Sequence, residues 1–131
     1  MDQAAPNYTD ENYRQAYNQK RLSFWQKVAA SASKGGRVGH RFYLNHLKRI
    51  YGRLITPGQK VLEVGCGQGD LLASLQPSVG LGVDFCPEMI AQARERHPKH
   101  SFLCVDAQDI DLEGLTFDYI ILSDLVNDLW D

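Results

Sequence analysis

The residues of this 131-residue chain best placed to do chemistry crowd into ten positions, 61–70, "VLEVGCGQGD". An apolar run ends in glycine at three alternate positions, Gly65, Gly67 and Gly69, with a carboxylate, Glu63, inside the run and a thiol, Cys66, inside the loop. Glycine lets a backbone turn sharply and lets a ligand approach where a Cβ would clash, and a helix that follows presents its free N–H groups. The dinucleotide fingerprint G-x-G-x-x-G spaces its third glycine more widely than the G-x-G-x-G found here. A carboxylate just before the loop repels an anionic pyrophosphate but attracts a ligand that bears an ammonium and a sulfonium. A second carboxylate, Asp84, follows Gly65 by nineteen residues, matching the acidic ribose ligand expected about 20 residues on.

Each candidate has a plainer reading. Asp84 could cap a helix starting at Pro87, and Asp106 could sit in a solvated turn. Cys66 reads as a small loop filler before it reads as a nucleophile. Cys66, Cys86 and Cys104 are odd in number and form no CxxC pair, which fits reduced thiols and leaves no zinc site expected. His97 and His100 flank Pro98 in a turn. His40 and His46 read as helix-surface residues, with His46 kept only as a candidate base. No catalytic residue is assigned.

The elements that must position these groups follow from periodicity. Asn7 to Ser33 reads as a helix, with Tyr13, Tyr17, Phe24, Trp25 and Val28 as a stripe for core or lid packing. "SKGGRVG" breaks it. A second helix runs from about Val38 to Leu54, with Phe42, His46, Arg49 or Ile50 and Arg53 around one side, and stops before the turn "TPGQK". Four β-rich runs follow, "KVLEVG", "VGLGVDF", "SFLCVDA" and "FDYIILSD", the first three separated by the helical "GDLLASLQ" and "PEMIAQARERH". Apolar runs without alternation imply strands covered on both faces, hence a parallel sheet with right-handed crossovers. The expected organisation is an N-terminal helical segment, 1–56, and an α/β core, 57–131.

Hydrophobic residues make up 44% and charged residues 23% of the chain, ordinary for a globular domain. No apolar run is long enough to span a bilayer and the N-terminus has no apolar signal region, so a cytoplasmic setting without membrane contact is expected. The net charge of −2 hides an asymmetry: residues 1–60 carry eleven Lys or Arg against three Asp or Glu, and residues 61–131 carry three against thirteen. Such a basic half can mark a nucleic-acid arm. Its cations are interleaved with apolar residues, which favours a basic helical segment packed on an acidic core.

The motifs "VLEVGCGQGDLL", "GLGVDFCPEMIAQARERHP", "FLCVDAQDI" and "FDYIILSDLV", in that order, resemble the successive cofactor motifs of class I S-adenosylmethionine (SAM) dependent methyltransferases over about Val61 to Val126. The resemblance implies a Rossmann-like three-layer sandwich in which this chain supplies strands in the order 3-2-1-4 of a larger, mostly parallel sheet. It implies that Glu63, Gly65, Cys66, Gly67 and Gly69 line the methionine part of SAM and that Asp84 takes both ribose hydroxyls. Phe85 would lie against the adenine, Asp106 would accept from its exocyclic amine, Ala107 would offer a backbone N–H, and Ser123 would face the methionine end. The implied activity is methyl transfer to a small-molecule acceptor. "SDLV" departs from the Asn/Asp-Pro-Pro-aromatic motif of amino-directed DNA methyltransferases, which argues against nucleic acid as the partner. The chain stops after the fourth strand, so it is expected to be the cofactor-binding part of a longer enzyme. Two other readings stay open at this point: a noncatalytic SAM-binding or interaction module, and a nicotinamide-dependent oxidoreductase, which Glu63 and the glycine spacing oppose. An apolar fourth strand with an unpaired edge also suggests a homodimer, unless the N-terminal helices fold over that edge.

Overall fold

A computed structural model describes residues 9–36 and 38–122. In chain order it contains α1 (Asp10–Ser33), α2 (Val38–Leu54), β1 (Lys60–Val64), α3 (Asp70–Ser74), β2 (Val79–Asp84), α4 (Pro87–Arg96), β3 (Ser101–Cys104), a 3₁₀ turn (Ala107–Asp109) and β4 (Tyr119–Ile121). The four strands form one sheet in the order β3-β2-β1-β4, and every pairing is parallel. The Rossmann-like α/β class and the 3-2-1-4 order expected from the motifs are what the chain adopts. The part of the fourth run from Ser123 onward lies outside the described residues.

Side chains alternate across a strand, so each strand feeds both faces of the sheet. On one face Val61, Phe102 and Ile121 pack with Leu71, Leu72 and Leu75 around α3 and with Ile90 and Ala93 of α4. On the other, Leu62, Val64, Leu81 and Val83 pack under Val105, Ala107, Ile110, Leu112 and Phe117 from the segment that joins β3 to β4. Val61, Val83, Leu72 and Ile90 are fully buried, and each such side chain stabilises the fold by roughly 1.5–3 kcal/mol relative to exposure. On the helical face β2 must carry glycine. A Cβ on Gly82 would lie 2.6 Å from Phe102 Cδ1 and 2.8 Å from Cys66 Sγ, and both are buried groups that cannot give way cheaply.

The two N-terminal helices bury far less. Helix α1 starts where the Thr9 hydroxyl accepts from the Asn12 N–H at 3.3 Å, with Asp10 and Glu11 in its first turn complementing the helix dipole. It ends at Gly35, whose φ of 103° no β-carbon residue adopts readily. Only Arg21 and Ala29 are buried along it. Ala29 joins Cys86 and Met89 on α4, with Leu22, Trp25 and Val28 half-buried beside them. The stripe is thus not a core: Tyr13 is 49% and Phe24 59% exposed. Helix α2 also presents a different face from the one read around Phe42, which is 79% exposed. Leu44, Leu47 and Tyr51 pack on the core instead, at the i, i+3, i+7 spacing of a single helix side. Helix α1 packs on α4 and α2 on α3.

Candidate functional site

The glycine loop begins where β1 ends, at the carboxyl edge of a parallel sheet, which is where such sheets place ligand crevices. Its backbone explains its composition. Gly65, Gly67 and Gly69 all take left-handed φ, at 78°, 54° and 76°, a region that costs a residue with a Cβ about 1–2 kcal/mol. At Gly67 a Cβ would meet nothing within 4 Å, so that position faces open space. The Gly65 and Cys66 N–H groups are used on Val83 O at 2.7 and 3.0 Å. The loop is thereby tied to β2.

A cavity of about 620 Å³ lies over this loop, within the roughly 300–1,000 Å³ range of small-ligand sites. The core contributes Glu63, Gly65, Cys66, Gly67, Asp84, Phe85, Asp106 and Ala107 to its wall, and the N-terminal helices contribute Arg21, Trp25, Val28, His40, Tyr43 and Leu47. Eight of the ten residues singled out in the sequence therefore line one space. Gly69 is buried behind the loop, 2.7 Å from Phe102 Cε1 at the position a Cβ would take, and its φ shapes the turn without reaching the cavity wall. Ser123 lies outside the described residues.

Glu63 is 3% exposed, and its Oε2 accepts the Leu72 N–H at 3.1 Å. Burial, reinforced by the nearby Asp84 and Asp70 charges and opposed by that backbone donor, pushes its carboxyl up to about 8. A buried carboxyl on a cavity wall with so little compensation is matched to a cation arriving from the cavity. Asp84 sits at the end of β2 with both oxygens engaged: Oδ2 accepts the Gly67 N–H and Oδ1 the Cys86 N–H, each at 3.0 Å. Burial raises its carboxyl, against the pull of these two donors and of Arg21. Asp84 thus holds the turn before α4 without being its N-cap, which is Cys86, and its carboxylate keeps lone pairs for two more donors. Cys66 is buried with its thiol on Gly67 O at 3.6 Å. Burial and the Glu63 charge raise the thiol far above its ordinary range, which disfavours the thiolate that a nucleophile needs. His46 is exposed and off the cavity wall, where His40 stands instead.

At the other end of the cavity the decisive residue is one the sequence reading left out. Arg21 of α1 is 7% exposed. Its guanidinium lies over the Phe85 ring, 4.1 Å from the centroid, and pairs with Asp106 Oδ2 at 2.5 Å. Asp106 Oδ1 meanwhile accepts the Gln108 N–H at 3.1 Å, the turn reading realised beside the ion pair. A second pair, Arg14 to Asp109 at 3.5 Å, is exposed. The basic first half thus meets the acidic second half through α1. A signal for Arg21 was present: it lies four residues from both Tyr17 and Trp25, inside the apolar stripe, where a charge must find a partner. A relay also ties α1 to the loop, with Gln68 Nε2 donating to Gln92 Oε1 at 2.7 Å and Gln92 Nε2 to Ala29 O at 3.1 Å.

Comparison with known proteins agrees with this geometry. The family model for the methyltransferase domain matches residues 61–131. A phosphatidylethanolamine N-methyltransferase from Cereibacter sphaeroides is 36% identical over 87 residues, covering 61% of this chain and 43% of the relative. A demethylmenaquinone methyltransferase from Chlorobaculum tepidum is 28% identical over 120 residues, 89% of this chain and 42% of the relative. The chain spans about two fifths of the length of these curated relatives. Among solved structures, the N-methyltransferase NodS from Bradyrhizobium japonicum, in complex with S-adenosyl-L-homocysteine, superposes with a TM-score of 0.68 at 19% identity, covering 84% of this chain and 59% of that one. That likeness concerns the fold.

Proposed function

Because this chain belongs to the methyltransferase domain family, the class I SAM-dependent methyltransferases, we propose that it is the cofactor-binding part of an enzyme that methylates a small-molecule acceptor. The observation that carries this reading is the pairing of two carboxylates, the buried Glu63 and the half-buried Asp84, with a left-handed glycine loop on the wall of one cavity. Glu63 suits the ammonium of the methionine moiety, Gly65 and Gly67 permit its close approach, and Asp84 has acceptor capacity for the ribose hydroxyls. Bound there, SAM would supply an electrophilic methyl group on a sulfonium. The chain's own part is to orient and to exclude water, and holding a reacting pair in line can be worth roughly 7–11 kcal/mol in the best cases. A general base is needed only if the acceptor must lose a proton.

The acceptor side is read from the helices. The helices line the cavity with Trp25, Val28, Tyr43, Leu44 and Leu47, so much of the wall available to an acceptor is aromatic and aliphatic, with Arg21, Lys27, Ser31 and His40 as its polar members. An apolar small molecule fits this wall better than a polymer, and the acceptors printed in the names of the curated relatives, phosphatidylethanolamine and demethylmenaquinone, point the same way. No described helix is long and apolar enough to cross a membrane. Isothermal calorimetry of the chain with SAM, S-adenosylhomocysteine and NAD tests the reading. Saturable binding of the two adenosyl-sulfur ligands with none of NAD is expected. Binding of NAD without either of the others would return the assignment to an oxidoreductase.

A further inference from the structure

We infer that Arg21 is an internal stand-in for the adenine base, a side chain of α1 that fills the adenine subsite and must be displaced before the ligand seats. The inference rests on the SAM reading above. Its basis is that one guanidinium satisfies both contacts assigned to the base. It is a flat π group on the Phe85 ring at 4.1 Å, and its N–H donates to Asp106 Oδ2, where an exocyclic amine would donate. Phe85 cannot stack an arginine and a purine on the same face, and the guanidinium on Asp106 Oδ2 stands where the amine would have to come. Arg21 and adenine are therefore alternatives on this face. The site is also built for the arginine, which is 7% exposed and has the Tyr17 ring 5.8 Å from its guanidinium carbon.

Release does not require α1 to leave. The helix is held independently by Ala29 in its cluster with Cys86 and Met89, by Gln92 on Ala29 O and by Gln26 Nε2 on Glu88 Oε1 at 3.0 Å. A long flexible stem lets the guanidinium swing away while the helix stays docked. The plug makes the open site a minor state, and apparent affinity falls by the open fraction. It also keeps the Phe85 face and the Asp106 carboxylate from standing exposed to water in the absence of ligand.

The test is calorimetric titration of S-adenosylhomocysteine and 5′-methylthioadenosine into the chain and into its Arg21→Ala and Arg21→Gln forms, with thermal unfolding to verify that each is folded. If the open state is populated at about 10% or less, both ligands bind the Arg21→Ala form roughly tenfold or more tightly than the parent. Arg21→Gln, which keeps a planar donor but no charge, falls between the two and carries the test if Arg21→Ala does not fold. Unchanged or weaker binding in the variants, with the parent still binding, overturns the plug and makes Arg21 a holder of the base, while leaving the SAM reading in place. No binding of either ligand to any form overturns both.

Discussion

The two ends of the cavity are built in opposite ways. At the glycine-loop end the contacts that place the two carboxylates are short in sequence or run between neighbouring strands and their loops: Glu63 to Leu72, Asp84 to Cys86, Asp84 to Gly67. These groups are placed by main-chain hydrogen bonds and by a sheet register that sets Glu63 opposite Gly82. At the Phe85 end the defining contacts, Arg21 to Asp106 and Phe85, join residues 85 and more than 60 positions apart and depend on a helix that buries little apolar surface of its own. The lesson is that the first end is part of the core, whereas the second is assembled by docking, so the first should respond to mutation through geometry and the second through population.

The largest effect is expected at Asp84. Asp84→Ala removes the acceptor for the ribose and frees the Gly67 N–H at once. Hydrogen bonds to a charged group are worth roughly 1.5–3 kcal/mol each before water compensates, so a loss in S-adenosylhomocysteine affinity on the order of 100-fold is expected in a folded variant. Unchanged affinity by calorimetry would show that the loop end is not where the ligand is held.

Glu63 separates the two ends by pH. Its carboxyl ionises at about 8 in the folded chain against 4.5 ordinarily, so the folded state holds the extra proton between those values. By linkage the stability this group contributes is full below about 4.5 and is lost as pH rises through about 8. Thermal unfolding of the parent should therefore move to lower temperature over that window, and Glu63→Gln should flatten the trend. Binding runs the other way, because an ammonium ligand prefers the ionised form. Affinity for S-adenosylhomocysteine is expected to rise toward pH 8 in the parent and to be about tenfold weaker and flat in Glu63→Gln. A parallel pH trend in both proteins would remove Glu63 from the site.

The smallest effect concerns neither end. Among the described residues β4 is one edge of the sheet; α1 packs on α4 and α2 on α3, and Leu44, Leu47 and Tyr51 of α2 join the core cluster that holds Ile121. Ile120 is 61% and Leu122 52% exposed there, while Ile121 is 2% exposed and faces the core. If a second copy pairs with this edge, Ile120→Lys should shift a concentration-dependent dimer toward monomer in size exclusion with light scattering. A strictly monomeric parent would reject the dimer.

The balance of what could be read from the sequence follows the same division. The strand order and the positions of Glu63, Gly65, Gly67 and Asp84 were legible because glycine spacing, apolar runs and short-range hydrogen bonds leave local marks. The inward face of α2 was not legible, since Phe42, His46 and Leu44, Leu47 share one helix and only the packing partner decides which side turns inward. Arg21 was passed over because its partners come from loops after β2 and β3; the one local mark, its place in the apolar stripe four residues from Tyr17 and Trp25, says that it needs a partner but not which.

Amide chemical shifts of the isotopically labelled chain, followed as S-adenosylhomocysteine is added, test the site assignment most directly. The largest shifts are expected at Gly65, Gly67, Cys86 and Ala107, with the Arg21 side-chain resonance moving as it leaves Phe85. Shifts confined to the opposite surface, around Asp70, Arg96 and His97, with the glycine loop unmoved, would contradict it.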